Sequence, residues 1–189
     1  MHADDPKAAL RPVVRARRDA QVAGLDAAAR ALAFRVPPTP LAAWIAAADC
    51  VAGYVPIGSE ADPGALLRHA AAIGRTIALP ALARRGAPLR FLQWQPGAPL
   101  VDGPFGTRQP DPATAAEVTP TLILAPLLAF DRRLHRLGQG AGCYDRAFAR
   151  FPDARRVGIA WSGQEIAAVP DDPWDMPLDA VLTEREWIA

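Results

Sequence analysis

A chain of 189 residues, 51% of them hydrophobic, is long enough to bury one sizeable core, and a single domain spanning 1–189 is expected. With 21 Lys plus Arg against 20 Asp plus Glu, it lacks the broad basic excess that phosphate-dominated binding needs, so no nucleic-acid partner is expected. No apolar run is long enough for a secretory signal or a bilayer span, and Cys50 and Cys143 lack metal spacing; the expectation is a cytoplasmic, monomeric protein with reduced thiols and no membrane partner.

Residues 5–35, rich in Ala, Arg and Leu, read as helical, with Asp4 or Asp5 as cap and Pro6 in the first turn. Pro12 conflicts with this reading and predicts a kink, or a helix that begins only near it. A short helix is expected over Leu41–Ala48, a buried strand over Cys50–Pro56, and a helix over Gly64–Ile73 that Gly74 closes. Strands follow at Thr76–Leu82 and Leu89–Trp94, then a Pro/Gly-rich loop over 96–112. Thr121–Ala125 is the clearest buried strand. After it come a loop over Phe130–Gly142, a helix over Cys143–Arg150, and strands at Val157–Trp161 and Ala180–Thr183. Strands alternating with helices predict an α/β fold: a three-layer, Rossmann-like arrangement with a mainly parallel central sheet flanked by helices.

The chemistry concentrates in Arg136-Leu137-Gly138-Gln139-Gly140-Ala141-Gly142-Cys143-Tyr144-Asp145-Arg146. Alternating glycines allow positive backbone dihedrals and let main-chain N–H groups converge on an anion, and the following helix aims its positive end into the same space. The run lacks the GK[ST] of a Walker A loop and the G-x-G-x-x-G of a dinucleotide fingerprint. A carboxylate at Asp145, one turn into such a helix, suits a phosphate site when a cation bridges it to the ligand, as Mg²⁺ does; it equally suits the helix dipole alone. A second metal carboxylate is sought in the run Asp171–Asp179. Lys7, the only lysine in an arginine-rich chain, offers either a phosphate partner or an ordinary solvated charge.

Several motifs in order resemble the 5-formyltetrahydrofolate cyclo-ligase (5,10-methenyltetrahydrofolate synthetase) family. Lys7-Ala8-Ala9-Leu10-Arg11 resembles its N-terminal K-x-x-L-R, and Arg17-Arg18 the arginine pair after it. Tyr54-Val55-Pro56 leading to Glu60, Leu79-Pro80, and Phe105-Gly106 to Gln109-Pro110 follow in sequence. Ala129-Phe130-Asp131, then Arg136-Leu137-Gly138 through Tyr144-Asp145-Arg146, resembles the signature AFD…RLGxGxGxYD. Val157-Gly158-Ile159-Ala160 and the tail from Val169-Pro170 to Thr183-Glu184 complete it.

The resemblance implies ATP- and Mg²⁺-dependent cyclisation of a reduced folate, 5-formyltetrahydrofolate, to 5,10-methenyltetrahydrofolate, with ADP and phosphate released. By position it implies that Lys7, Arg136 and Asp145 are catalytic. Lys7, Arg11, Arg136, Leu137, Gly138, Gln139, Gly140, Ala141, Gly142, Cys143 and Tyr144 would bind ATP. Val55, Glu60, Gln139, Gly140, Ala141, Gly142 and Cys143 would face the folate, and Asp145 and Asp175 would hold magnesium. The chain departs from the pattern at Cys143, where a tyrosine is usual, at Gln139, where an aromatic or basic residue is common, and at Trp174, where a histidine or polar residue is usual. Two alternatives stay open: a related ATP-dependent enzyme acting on another small molecule, and a non-catalytic nucleotide- or RNA-associated module. Of the three histidines, His2, His69 and His135, the last borders the glycine run; Trp44, Trp94, Trp161 and Trp187 are expected in the core.

Overall fold

The computed structural model describes residues 5–189; His2 and the alternative cap Asp4 lie outside them. Helix α1, Pro6–Ala23, is capped by the Asp5 side chain, which accepts from Lys7 N. It runs through Pro12 without a break, so the helix does not begin late. Pro12 has no N–H to offer the Ala8 carbonyl, but both residues lie on the exposed face, where solvent satisfies the freed oxygen at little cost. Gly24 to Asp26 interrupt the predicted 5–35 helix, and a separate α2, Ala27–Leu32, starts at an Asp26 cap.

Helices α3, Thr39–Ala47, and α4, Gly64–Ala72, match the expected segments within two residues. The main sheet contains β1 (Cys50–Ala52), β2 (Thr76–Ala81), β3 (Arg90–Gln93), β6 (Leu122–Pro126), β9 (Arg155–Ile159), β10 (Ala180–Leu182) and β11 (Trp187–Ile188), in spatial order β11-β10-β9-β6-β1-β2-β3. All neighbours pair in parallel except the edge strands β3 and β11. β11 was not anticipated: Thr183-Glu184-Arg185-Glu186 forms a tight turn, with Thr183 Oγ1 accepting from Arg185 N and Glu186 N, and only two residues pair beyond it.

Alternation along the strands sends side chains to two faces. Val51, Ile77, Leu79, Leu122 and Leu124 pack with residues of α1, α3 and α4, such as Val22, Leu41, Ile45 and Leu66. Cys50, Ala52, Ala78, Ile123 and Ala125 pack with Ala147 and Phe148 of α5, Cys143–Arg150. The three layers expected from sequence are therefore present. Gly53, just beyond β1, admits α4: a Cβ there would sit 2.6 Å from Leu67 Cδ1. Trp161 is in the core with 4% exposure, while Trp44 and Trp187 meet edge to face at its margin.

Two stretches expected as loops carry small hairpins. Residues 96–112 include β4, Val101–Asp102, and β5, Arg108–Gln109, joined through the turn Pro104–Gly106. Residues 130–142 include the second strand of the pair β7, Ala129–Phe130, and β8, Arg136–Leu137. Predicted Cys50–Pro56 shortens to three residues because the chain leaves the sheet after Gly53, and predicted Val157–Trp161 shifts to β9, with Trp161 capping a 3-10 turn.

Candidate functional site

Chain order in the sheet reverses between β1 and β6: the chain moves outward from β1 through β2, then returns to the other side of β1 to build β6, β9 and β10. Loops leaving the carboxyl ends of such neighbouring strands diverge and open a crevice. A cleft of about 1410 Å³ occupies this position, reached by Tyr54–Glu60 after β1, Pro80–Leu82 at the end of β2, and Pro126–Leu127 and Arg136–Arg146 after β6.

One wall is α1. Lys7, Arg11, Arg15 and Arg18 recur at helical spacing and all line the cleft. Lys7 Nζ donates to Asp172 Oδ2 at 2.6 Å and also to Asp175 Oδ2. Burial works against the charged ammonium, but its bonds to Asp172 and Asp175 outweigh that, and the Lys7 pKa is raised. The same bonds hold Asp175 ionised: burial pushes its pKa up, and Lys7, the Asp172 N–H and Arg136 pull it below the usual carboxylate range. Arg11 Nε donates to the Gly138 carbonyl at 3.2 Å, joining α1 to the glycine-rich loop.

The loop supplies the second wall. Gly140 and Gly142 have φ of +101° and +60°, so the left-handed conformations expected from the glycine spacing are present at two of the three positions. Gly142 is the N-cap of α5, whose first residues, Cys143–Asp145, line the cleft. Arg136, with a side chain 4% exposed, donates to Asp145 Oδ1 at 2.7 Å and stacks over the Phe148 ring at 5.0 Å. Two buried polar atoms here, Arg136 Nε and Tyr144 Oη, have no hydrogen-bond partner among the described residues. Burial, with Glu60 nearby, pushes the Tyr144 phenol far up, so it remains a protonated donor.

The third side is the loop after β1. Glu60 accepts from Ile57 N at 3.0 Å and from Gln139 Nε2 at 3.3 Å, while Arg18 Nη1 lies 3.9 Å away. Burial raises the Glu60 pKa despite these partners. Val55 lies beside it on the cleft surface. Gln139 also accepts from Arg15 Nη2 at 2.5 Å, so it links α1, the glycine-rich loop and the β1 loop.

The residues that the resemblance assigns to nucleotide, folate and metal thus share one cleft. Asp145 and Asp175 both border Arg136, but each is engaged by a cation, Asp145 by Arg136 and Asp175 by Lys7. Among the described residues no group of three or more His, Cys, Asp or Glu is arranged to hold a metal. Arg15 and Arg18 were not singled out as site residues from sequence, and Asp172 was named only as one carboxylate of its run. The spacing of Lys7, Arg11, Arg15 and Arg18 carried the signal for the arginines, whereas Asp172 was one of several acidic residues in its run. Both cysteines are free; Cys50 is buried, which pushes its thiol up to about 11, and Cys143 lies on the cleft wall. His69 falls in α4, away from the cleft lining.

A family model described as the 5-formyltetrahydrofolate cyclo-ligase family matches residues 4–184. The chain is 35% identical over 147 residues to the 5-formyltetrahydrofolate cyclo-ligase of Mycolicibacterium smegmatis, spanning 73% of this chain and 75% of that protein. It is 30% identical over 177 residues to the enzyme of the same name from Escherichia coli K12, spanning 88% and 92%. Among solved structures, Aquifex aeolicus 5,10-methenyltetrahydrofolate synthetase matches with a TM-score of 0.77 at 28% identity, over 96% of this chain and 91% of that one. The Mycoplasma pneumoniae synthetase matches in fold, with a TM-score of 0.70 at 20% identity over 95% and 99%.

Proposed function

The chain belongs to the 5-formyltetrahydrofolate cyclo-ligase family, and from that premise we propose that it closes 5-formyltetrahydrofolate to 5,10-methenyltetrahydrofolate with ATP and Mg²⁺, releasing ADP and phosphate. One observation carries this reading: Lys7, Arg11, the Gly138–Gly142 loop, the Arg136–Asp145 pair, Asp175 and Glu60 converge on a single cleft at the switch point of the sheet.

The chemistry needs no protein nucleophile. The formyl oxygen of the substrate is a poor leaving group until it carries phosphate. Its attack on the γ-phosphorus breaks the bond to ADP. The neighbouring secondary amine then adds to the activated formyl carbon, loses its proton, and expels phosphate to leave the methenyl bridge. The tasks left to the chain are alignment and charge compensation. Lys7 Nζ, already held charged, is placed to meet phosphate oxygens when it exchanges a carboxylate for them, and the Gly138–Gly142 N–H groups with the α5 N-terminus supply neutral donors. Arg136 brings its free Nε to the same region.

Asp145 and Asp175 fit a magnesium site of the kind that uses one or two carboxylates and completes its shell with phosphate oxygens and water, and each is paired with a cation. Bound there, Mg²⁺ would offset the charge that develops on the transferring phosphoryl group. On the other side of the loop, Glu60 offers a carboxylate that suits a donor-rich heterocycle such as the pterin, and Val55 an apolar surface beside it. The test is the absorbance of the methenyl product: it appears only when ATP, Mg²⁺ and 5-formyltetrahydrofolate are present together, and no product from well-folded protein would refute the reading.

A further inference from the structure

Asp131 lies at the start of the turn between β7 and β8 and is fully buried, with 0% exposure. It does not line the cleft. Its Oδ1 accepts from Arg133 N at 2.9 Å and His135 N at 3.2 Å, and its Oδ2 accepts from Val169 N at 2.9 Å and Arg133 Nη2 at 3.0 Å. Three of these four donors are main-chain, and they belong to two segments far apart in sequence. The turn they close is a demanding one: Leu134 has φ of +66°, a left-handed conformation that a side chain seldom adopts unless its surroundings enforce it.

The turn leads directly into Arg136 and the glycine-rich loop. Val169 leads into the segment that carries Asp172 and Asp175. A second bond, from Leu178 N to the Leu134 carbonyl at 3.0 Å, ties the far end of that segment to the same turn. The acidic segment is therefore fixed at both ends to the turn that sets the register of Arg136–Gly142. Arg133 adds a longer contact to Asp171 at 3.8 Å.

We infer that Asp131 is a positioning residue: its buried carboxylate fixes the acidic segment against the glycine-rich loop, so that Asp175 and Lys7 stand in register with Arg136 and Gly138–Gly142. The inference rests on the proposed nucleotide site, whose two halves these segments carry. The Val55–Glu60 side is built from the loop after β1 and meets the glycine-rich loop through the single Gln139–Glu60 bond, so it depends on this turn less than the nucleotide side does. Replacing Asp131 with Asn keeps the shape but turns two acceptor positions into donors that face donors, which separates the segments without opening a cavity.

The test is Asp131→Asn, measured for binding of Mg·ATP and of 5-formyltetrahydrofolate separately, and for kcat and KM toward each. The expected result is a Kd for Mg·ATP weakened tenfold or more, with the folate Kd changed less than threefold. Equal weakening of both, or unchanged Mg·ATP binding in a folded variant of lower melting temperature, would overturn it by making Asp131 merely structural. Where the variant does not fold, hydrogen exchange of the unaltered protein decides. Adding Mg·ATP should slow the amides of residues 133–135, Val169 and Gly138–Gly142 together, and protection of the glycine loop without Val169 would overturn the coupling. Failure of the unaltered protein to bind Mg·ATP at all would instead overturn the functional reading, and this inference with it.

Discussion

Lys7 and Asp175 are 168 residues apart in sequence, yet the Lys7 ammonium donates to the Asp175 carboxylate and, at 2.6 Å, to Asp172 as well. The first turn of the first helix is thereby joined to the acidic segment near the end of the chain, and all three residues line the cleft. The Lys7 side chain is 11% exposed, so its charge acts at short range and with little screening. Lys7→Ala should lower kcat/KM by a factor on the order of 10²–10³, the equivalent of about 3–4 kcal/mol of lost charge stabilisation. Lys7→Arg should not restore it, because a planar fork cannot sit where a compact ammonium bridges two carboxylates. Steady-state kinetics with ATP varied would check both.

Asp145 carries a structural cost beside its proposed metal role. Arg136 is nearly buried and Asp145 is its carboxylate partner. Asp145→Ala should remove activity and also lower the melting temperature by about 2–8 °C, corresponding to about 1–2 kcal/mol once the partial exposure of Asp145 is allowed for. Asp145→Asn should lose activity but keep most of the stability, since its amide oxygen still accepts from Arg136. Calorimetry beside the activity assay separates the two effects.

Gly140 is a loop position where a side chain is poorly tolerated. Its φ is +101°, and a Cβ would lie 3.2 Å from Arg11 Cζ. Gly140→Ala should raise the KM for ATP by about tenfold, or about 1.4 kcal/mol, through displacement of Arg11 and the loop N–H groups. The melting temperature should change by only a few degrees, because the loop is at the surface of the cleft. Equal ATP affinity in the variant would argue that the loop does not approach the phosphates.

The pH dependence has two opposing parts. Burial would raise the Asp131 and Asp175 carboxyls, but donors outweigh it, so both are depressed. Their stabilisation is present above the unfolded carboxylate range and is lost as pH falls through the depressed folded values. Glu60 is raised, so its contribution has the opposite sign: it is complete below the unfolded value and is lost as pH rises through the folded one. Melting temperature measured from pH 2 to 7 should fall steeply at the acid end, and Asp131→Asn should flatten that acid limb. Glu60→Gln should leave the acid limb in place and raise the melting temperature at neutral pH relative to the parent.

Much of this was legible in the sequence, for identifiable reasons. Segments such as Leu122–Pro126 are apolar on both faces because they lie inside a parallel sheet, and their composition declares it. The glycine-rich loop announced itself because Gly140 and Gly142 must adopt positive φ. What could not be read were features set by distant partners. The late start expected at Pro12 did not occur, because the exposed position of Pro12 and Ala8 on α1 is a tertiary fact. The partners of Asp131, including Val169 N, depend on how two loops meet, and the choice of Asp172 among its acidic neighbours depends on where Lys7 reaches. The hairpin strands β7 and β8 are two residues each, too short to carry a period.

The central claim is that the cleft aligns a formyl oxygen with the γ-phosphorus of ATP, and the fate of that oxygen tests it most directly. With 5-formyltetrahydrofolate labelled with ¹⁸O in the formyl group, each turnover should deliver one labelled oxygen into the released phosphate. Phosphate that carries no label, while the methenyl product still forms, would contradict the account.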